Sequence, residues 1–443
     1  MAPFIQLQQD DCAGIVGFLS CVDLIAADMT CQLLHHVVEA YATHFLKATG
    51  RAILSRALPL QRLSLAHRLE MVPQVAFTDT SALLVLKGAA YLITKFETLN
   101  GFSIKFTHVQ QVAKQSCPKV VALMQTKTRN QSMVPITVSS SNVLNFHGTS
   151  FTACAWQSRI SGLEQVKMIS AGRNHVLIVL VAGRVLSFGH TGSGALGHGD
   201  RQSRNRPIEI EALRGVEVSH AAAGFDHSLF ISTSGYAWTC GQGSRGQLGL
   251  GSLDEALLPQ SIQQLPSGQA VHCAAAVHTS CFLLHDGSAW TCGSGRTGIL
   301  GHGHKRDVLV PQRISGHCPN ISGFVQCSFG VTHGLLLTFD CLASAWWGKK
   351  DACAPMRASV VGIGSNRNGQ LGDIQEDEVL RPKELSLPCE SIPVAVATST
   401  NASLIVFKGG SFLVMAQRQV QRCSLDELHD RMLACQQSTC STC

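Results

Sequence analysis

Apolar positions in this chain fall into short runs of five or six residues, paired across turns that contain glycine. One pair is His175-Val-Leu-Ile-Val-Leu-Val-Ala-Gly-Arg-Val-Leu186, and another is His227-Ser-Leu-Phe-Ile-Ser-Thr-Ser-Gly-Tyr-Ala-Trp238. Runs of this length, joined by such turns, predict β-hairpins. Aligned on the turn, hairpins start near 80, 133, 175, 227, 279, 333 and 402.

The first 70 residues follow another rule. Ile15, Phe18, Leu19 and Val22 fall at i, i+3, i+4 and i+7, the spacing of one helix face. Leu24 to Leu46 continues this spacing, and 51–71 adds Leu54, Leu58, Leu60, Leu63, Leu65 and Leu69. Short helices of this kind bury too little surface to stand alone. They need a partner protein or the β part of the chain.

A glycine loop follows each central hairpin. Gly189 to Gly199, Gly241 to Gly251 and Gly293 to Gly303 start 52 residues apart, and Pro207, Pro259 and Pro311 keep the same interval. A fourth copy, Gly364 to Gly372, follows after 71 residues, which predicts an insertion around Lys349 to Ile363 and a loop containing Pro382. Each loop carries a leucine at the matching position, Leu196, Leu248, Leu300 or Leu371, placed to plug the core. Repeats of about 50 residues built from hairpins predict propeller blades rather than a helical solenoid. The expected fold is therefore mainly β: a seven-bladed β-propeller over 72–420, preceded by a small α-helical segment at 1–50 and a helical linker at 51–71, with a tail at 421–443.

Composition narrows the function. Charged residues make up 14% of the chain and the net charge is only +6, too little for a nucleic-acid coat. Eighteen cysteines suggest disulfides, yet no basic and apolar leader opens the chain and no run of 18 apolar residues occurs. The thiols are expected to be reduced, in cytoplasm or nucleus, as small buried apolar groups.

Candidate chemistry is sparse. No nucleophile elbow, His-Glu-x-x-His helix or phosphate loop is present, so an adaptor rather than an enzyme is expected, with no metal and no cofactor. Gly241-Gln-Gly243 and Gly293-Ser-Gly295 mimic dinucleotide fingerprints but recur as structural loops. His175, His227 and His333 occupy matching hairpin positions and read as one buried imidazole per blade. Arg245, Arg296 and Arg367 occupy matching glycine loops; they are candidate partner contacts, the alternative being ordinary solvated side chains. The basic loops at Arg201, Arg204, Arg206 and at Lys305, Arg306 are interrupted by Asp254 and Glu255, so DNA is not the expected partner.

The segments Gly224-Phe-Asp-His227-Ser228 and Gly246-Gln-Leu-Gly249 resemble the repeats of the regulator of chromosome condensation family, whose members close a ring of seven blades. Leu7, Asp10, Ile15, Val16, Phe18, Leu19, Asp23, Leu24 and Cys31 resemble, in their spacing, an F-box. The second resemblance implies that Leu7, Ile15, Val16, Phe18, Leu19, Asp23 and Leu24 bind a Skp-type adaptor in a cullin ubiquitin ligase. The propeller would then receive the protein substrate. The alternatives are a helical cap on the propeller, a guanine nucleotide exchange factor for a small GTPase, and a chromatin- or scaffold-binding propeller. Ultraviolet sensing, known from a plant relative of the family, is disfavoured because the five tryptophans are not clustered in Gly-Trp-Arg-His-Thr repeats.

Overall fold

The computed structural model describes residues 75–77, 81–86, 89–99, 103–113, 120–125, 133–138, 144–146, 159–160, 163–190, 192–314, 323–340, 357–387, 392–407, 411–416 and 418–423. The chain divides after Val72, and every described residue lies in the second unit, Pro73–Cys443. The helical expectations for 1–71, the seven adaptor-contact candidates and the tail beyond Cys423 lie outside the described residues.

Among the described residues, strands form seven four-stranded antiparallel sheets, each a meander of consecutive strands. The first holds β1 (Val75–Phe77), β2 (Ser81–Leu86), β3 (Ala89–Leu99) and β4 (Ser103–Ala113). The second holds β5 (Val120–Gln125), β6 (Met133–Val138), β7 (Leu144–Phe146) and β8 (Arg159–Ile160). The third holds β9 (Val166–Ala171), β10 (His175–Leu180), β11 (Val185–Gly189) and β12 (Arg204–Glu209). The fourth runs from β13 (Val218–Ala223) through β14 (His227–Ser232) and β15 (Ala237–Gly241) to β16 (Ala256–Ser261). The fifth holds β17 (Ala270–Ala275), β18 (Thr279–Leu284), β19 (Ala289–Gly293) and β20 (Val308–Arg313). The sixth holds β21 (Phe324–Phe329), β22 (His333–Asp340), β23 (Arg357–Ser365) and β24 (Glu378–Glu384). The seventh holds β25 (Pro393–Thr398), β26 (Ala402–Phe407), β27 (Phe412–Ala416) and β28 (Gln419–Cys423).

First strands touch in a cycle: β1 with β5, β5 with β9, β9 with β13, β13 with β17, β17 with β21, β21 with β25, and β25 with β1. This is the arrangement of a β-propeller. Second strands are sandwiched between neighbouring sheets, so β10, β14, β18 and β26 are buried at all six positions. Strands buried on both faces lose the alternation of apolar and polar residues and read as continuous runs. Apolar clusters fill the spaces between sheets. One joins Leu229 and Ile231 to Cys273 and Phe282, and the next joins Cys281 and Leu283 to Cys327 and Leu336.

Two expectations are corrected. The prolines do not lie in loops: Pro207, Pro259, Pro311 and Pro382 fall within β12, β16, β20 and β24, the outermost strands. An edge strand tolerates a residue without an N–H. Of the insertion expected around 349–363, the part 357–363 belongs to β23, which begins at Arg357, while 349–356 lies outside the described residues. The extra residues separate Asp340 from Arg357, at the tip of a lengthened hairpin. The glycine loop cannot accept them because it bonds the next sheet, as described below, whereas a hairpin tip can lengthen freely.

Candidate functional site: the glycine-loop face

Each loop between third and fourth strands is pinned to the turn between the first two strands of its own sheet. His190 donates its N–H to Asn174 O, Gln242 to Asp226 O and Ser294 to His278 O, all at 2.8 Å. Loops and turns therefore share one end of the sheets. Each loop also reaches the neighbouring outer strand: Gly199 N–H meets Leu257 O at 3.0 Å, Gly251 meets Leu309 O at 3.0 Å, and Gly303 meets Leu380 O at 2.8 Å. Such close approach demands glycine. Gly246 has φ of 81°, and a Cβ there would lie 2.8 Å from Leu309 Cα.

Leu196, Leu248, Leu300 and Leu371 are all buried beneath these loops. Gln247 and Gln370, also buried, fold back so that Oε1 accepts the N–H of Arg245 at 2.8 Å and of Asn368 at 2.9 Å. The tips of the fourth and sixth sheets' loops are thus fixed from below. A rigid tip presents its side chains without paying their backbone ordering cost on binding.

The three candidate arginines differ in surroundings. Arg245 pairs with Asp307 of the next loop at 3.5 Å, and Arg367 pairs with Glu378 at 2.8 Å. Glu378 also pairs with Lys305, and the hydrogen bond from Lys305, aided by Arg367, holds its carboxyl below the usual range. Arg296 is exposed and has no ion-pair partner among the described residues. The three arginines lie in matching loops of the fourth, fifth and sixth sheets; Arg296 and Arg367 hold the same loop position, and Arg245 sits one residue further on, where the other loops carry Thr297 and Asn368. Arg201 pairs with Glu255 in the same inter-sheet manner, and Arg418 with Asp377 at 2.9 Å. Of these acids only Glu255 was noted in reading the sequence; Asp307, Glu378 and Asp377 were missed. Their signal was an acidic residue just before three consecutive fourth strands: Glu255 before β16, Asp307 before β20 and Asp377 before β24. A further contact missed was Arg173, whose guanidinium lies 4.4 Å from the centroid of the Phe225 ring.

The hairpin histidines serve the seams between sheets. His175 Nε2 lies 2.8 Å from Ser228 Oγ, His227 Nε2 lies 2.9 Å from Ser280 Oγ, and His333 Nε2 lies 2.8 Å from Ser403 Oγ. Ser228 and Ser280 donate their single hydroxyl protons to Ala195 O at 2.7 Å and Gln247 O at 2.6 Å. The facing His175 and His227 must then donate from Nε2, which fixes their neutral tautomer. Burial lowers their pKa to about 4 for His175 and about 3 for His227, the latter helped by nearby His175 and His278. Among the described residues, no group of three or more His, Cys, Asp or Glu is placed to hold a metal ion. Nor is any described helix long and apolar enough to cross a membrane.

The regulator of chromosome condensation (RCC1) repeat matches residues 182–231, 234–283 and 286–337. The chain contains three RCC1-type repeats. Each RCC1 repeat here begins near the hairpin turn of one sheet and ends in or after the second strand of the next, so it carries a whole seam. Human E3 ubiquitin-protein ligase HERC2 is 31% identical over 235 residues, covering 52% of this chain and 4% of that protein. The ultraviolet-B receptor UVR8 of Arabidopsis thaliana is 30% identical over 196 residues, covering 43% of this chain and 44% of the receptor. The chain thus spans less than half the length of these curated relatives. Prp20p of Saccharomyces cerevisiae, solved with a study of its binding to Gsp1p and histones, superimposes with a TM-score of 0.56 at 14% identity. That match covers 82% of this chain and 85% of Prp20p, and it establishes the propeller fold.

Proposed function

We propose that this protein is a protein-interaction propeller, its seven sheets the seven blades of one ring, acting as substrate receptor of a cullin-type ubiquitin ligase. The glycine-loop face receives the protein substrate. Residues 1–50 act as the F-box, with Leu7, Ile15, Val16, Phe18, Leu19, Asp23 and Leu24 meeting a Skp-type adaptor. Ubiquitin transfer is left to the partner subunits, in cytoplasm or nucleus. The observation that carries the receiving face is Arg296, exposed and with no ion pair among the described residues, on the loop between those of Arg245 and Arg367. An exposed guanidinium without an internal partner gives up no ion pair on meeting an acidic or carbonyl-rich surface. The likeness to HERC2, itself an E3 ubiquitin-protein ligase, supports the ligase setting.

Affinity capture of the full chain from cell extract, followed by mass spectrometry, tests both halves. A Skp-type adaptor and a cullin should be recovered, and should be lost when Phe18 and Leu19 are both changed to Ala. Other co-captured proteins should be lost with Arg296→Ala while the adaptor is retained. Recovery of a small GTPase without adaptor would instead favour nucleotide exchange, a reading that draws support from the fold shared with Prp20p, studied for binding Gsp1p. Recovery of chromatin or scaffold proteins alone would favour the third alternative.

A further inference from the structure

The seam between the fifth and sixth sheets is built differently from its neighbours. The positions that hold histidine and serine in the His227–Ser280 seam hold Thr279 and Gly334 here. A serine cannot replace Gly334 without movement, since a Cβ there would lie 2.7 Å from Phe329 Cε1. In place of the polar bond, this seam brings together two thiols: Cys281 on β18 and Cys327 on β21, strands that touch each other. Both sulfurs are buried in the same apolar cluster, together with Phe329. Nδ1 of His272, a half-buried residue on β17, lies 3.5 Å from Cys327 Sγ.

The thiols are not equivalent. Burial alone would raise both. At Cys327 the hydrogen bond from Cys281 and the interactions with His272 outweigh it, and the thiol is held at about 6. Cys281 is pushed well above the usual range by burial and by its bond to Cys327. A thiolate beside an imidazole, with a second thiol in contact, is the arrangement of an attacking and a resolving cysteine.

We propose that Cys281 and Cys327 form a reversible inter-sheet disulfide on exposure to a hydroperoxide, closing the seam that lacks the histidine–serine bond. The Cys327 thiolate attacks the peroxide oxygen; an S–O bond forms, the O–O bond breaks, and the leaving alkoxide or hydroxide takes up a proton. The Cys281 sulfur then displaces hydroxide from Cys327, forming S–S and releasing water with the Cys281 proton. Two thiols are oxidised by two electrons and the hydroperoxide is reduced by two. His272 is a positioning residue, keeping the Cys327 sulfur ionised.

The test uses the full chain, reduced, freed of reductant and treated with hydrogen peroxide. Remaining thiols are blocked with N-ethylmaleimide under denaturing conditions, and peptides are mapped by mass spectrometry. A linked Cys281–Cys327 peptide should appear and be lost with dithiothreitol, while Cys292, fully buried but with its thiol pushed up, stays alkylated. If Cys281 and Cys327 are alkylated as completely as Cys292 after peroxide, the proposal is overturned, and this wild-type result needs no variant to fold. Cys281→Ser should leave a sulfenic acid at Cys327 that dimedone captures; absence of the adduct in folded variant would remove Cys327 as the attacking group. His272→Asn should slow linkage several-fold, and an unchanged rate would remove His272 from the mechanism.

Discussion

His227 on the fourth sheet donates its Nε2–H to Ser280 on the fifth, 2.9 Å away, and Ser280 passes its own proton to Gln247 O of the fourth sheet's loop. One hydroxyl thus joins a strand of one sheet to both a strand and a loop of the sheet before it. Gly224, three residues before His227, lets the next sheet approach, since a Cβ there would lie 2.6 Å from Ala276 O. The glycine, histidine and serine of the repeat are therefore one device for spacing sheets. Replacing Ser280 with Ala leaves the buried Nε2–H of His227 without an acceptor. The expected cost is about 1–3 kcal/mol, read as a fall in the urea midpoint with unchanged slope.

The same histidines set an acid limit. Each has its folded pKa below 6.5, at about 4 for His175 and about 3 for His227, so between those values and 6.5 the unfolded chain binds more protons. Stability from this source is complete above about pH 6.5 and falls as pH drops toward the folded pKa, by up to ~1.4 kcal/mol per pH unit for each group. Melting temperature should decline from pH 7 to pH 4. His227→Asn, although less stable at pH 7, should show a shallower decline; an equal slope would reject this titration as a cause.

Leu248 is 1% exposed beneath its loop, and truncation to Ala should cost about 2–5 kcal/mol. A melting temperature equal to that of wild type would mean that the loop leucines are not part of the core.

Close approach makes a sharper test at Gly330, where a Cβ would stand 1.8 Å from Ser399 O of the seventh sheet. Backbone on both sides cannot yield cheaply, so Gly330→Ala should destabilise by roughly 1–3 kcal/mol or more. At Gly192 an added Cβ meets nothing within 4 Å, and Gly192→Ala should stay within about ±0.5 kcal/mol. Thermal melts of the two variants side by side check the pair.

Much of this was legible beforehand for a physical reason. Second strands are buried on both faces, so their apolar runs stand out, and hairpin starts read near 80, 133, 175, 227, 279, 333 and 402 coincide with the second strands of the seven sheets. First strands were not legible. Val218–Ala223 and Ala270–Ala275 are alanine-rich and partly polar, so they lack the continuous apolar run that marks the second strands. Fourth strands were read as loops because they carry proline and charge, as edges do. The candidate arginines were visible as a feature of matching loops, but their acids lie on another loop or further along the same one, a relation that only the folded register creates.

A second polar device repeats with one defect. Thr291 Oγ1 donates to Leu300 O at 2.7 Å and lies 3.0 Å from His302 Nε2; Ser187 makes the matching pair with Leu196 O at 2.8 Å and His198 Nε2 at 3.0 Å. In the fourth sheet the histidine position holds Leu250, and the buried hydroxyl of Thr239 has no hydrogen-bond partner. A buried hydroxyl without a partner costs stability, and removing it relieves that cost. Thr239→Val should therefore be neutral or stabilise by up to about 1 kcal/mol, the methyl replacing the hydroxyl at nearly constant volume. Thr291→Val, made in the same way, strips Leu300 O and His302 Nε2 of their shared partner and should destabilise by roughly 1 kcal/mol or more. The two substitutions are chemically identical, so opposite signs in their unfolding midpoints can arise only from the histidine that one sheet has and the other lacks. Equal losses at both positions would show that Thr239 has a partner after all, and would remove the distinction between the two sheets.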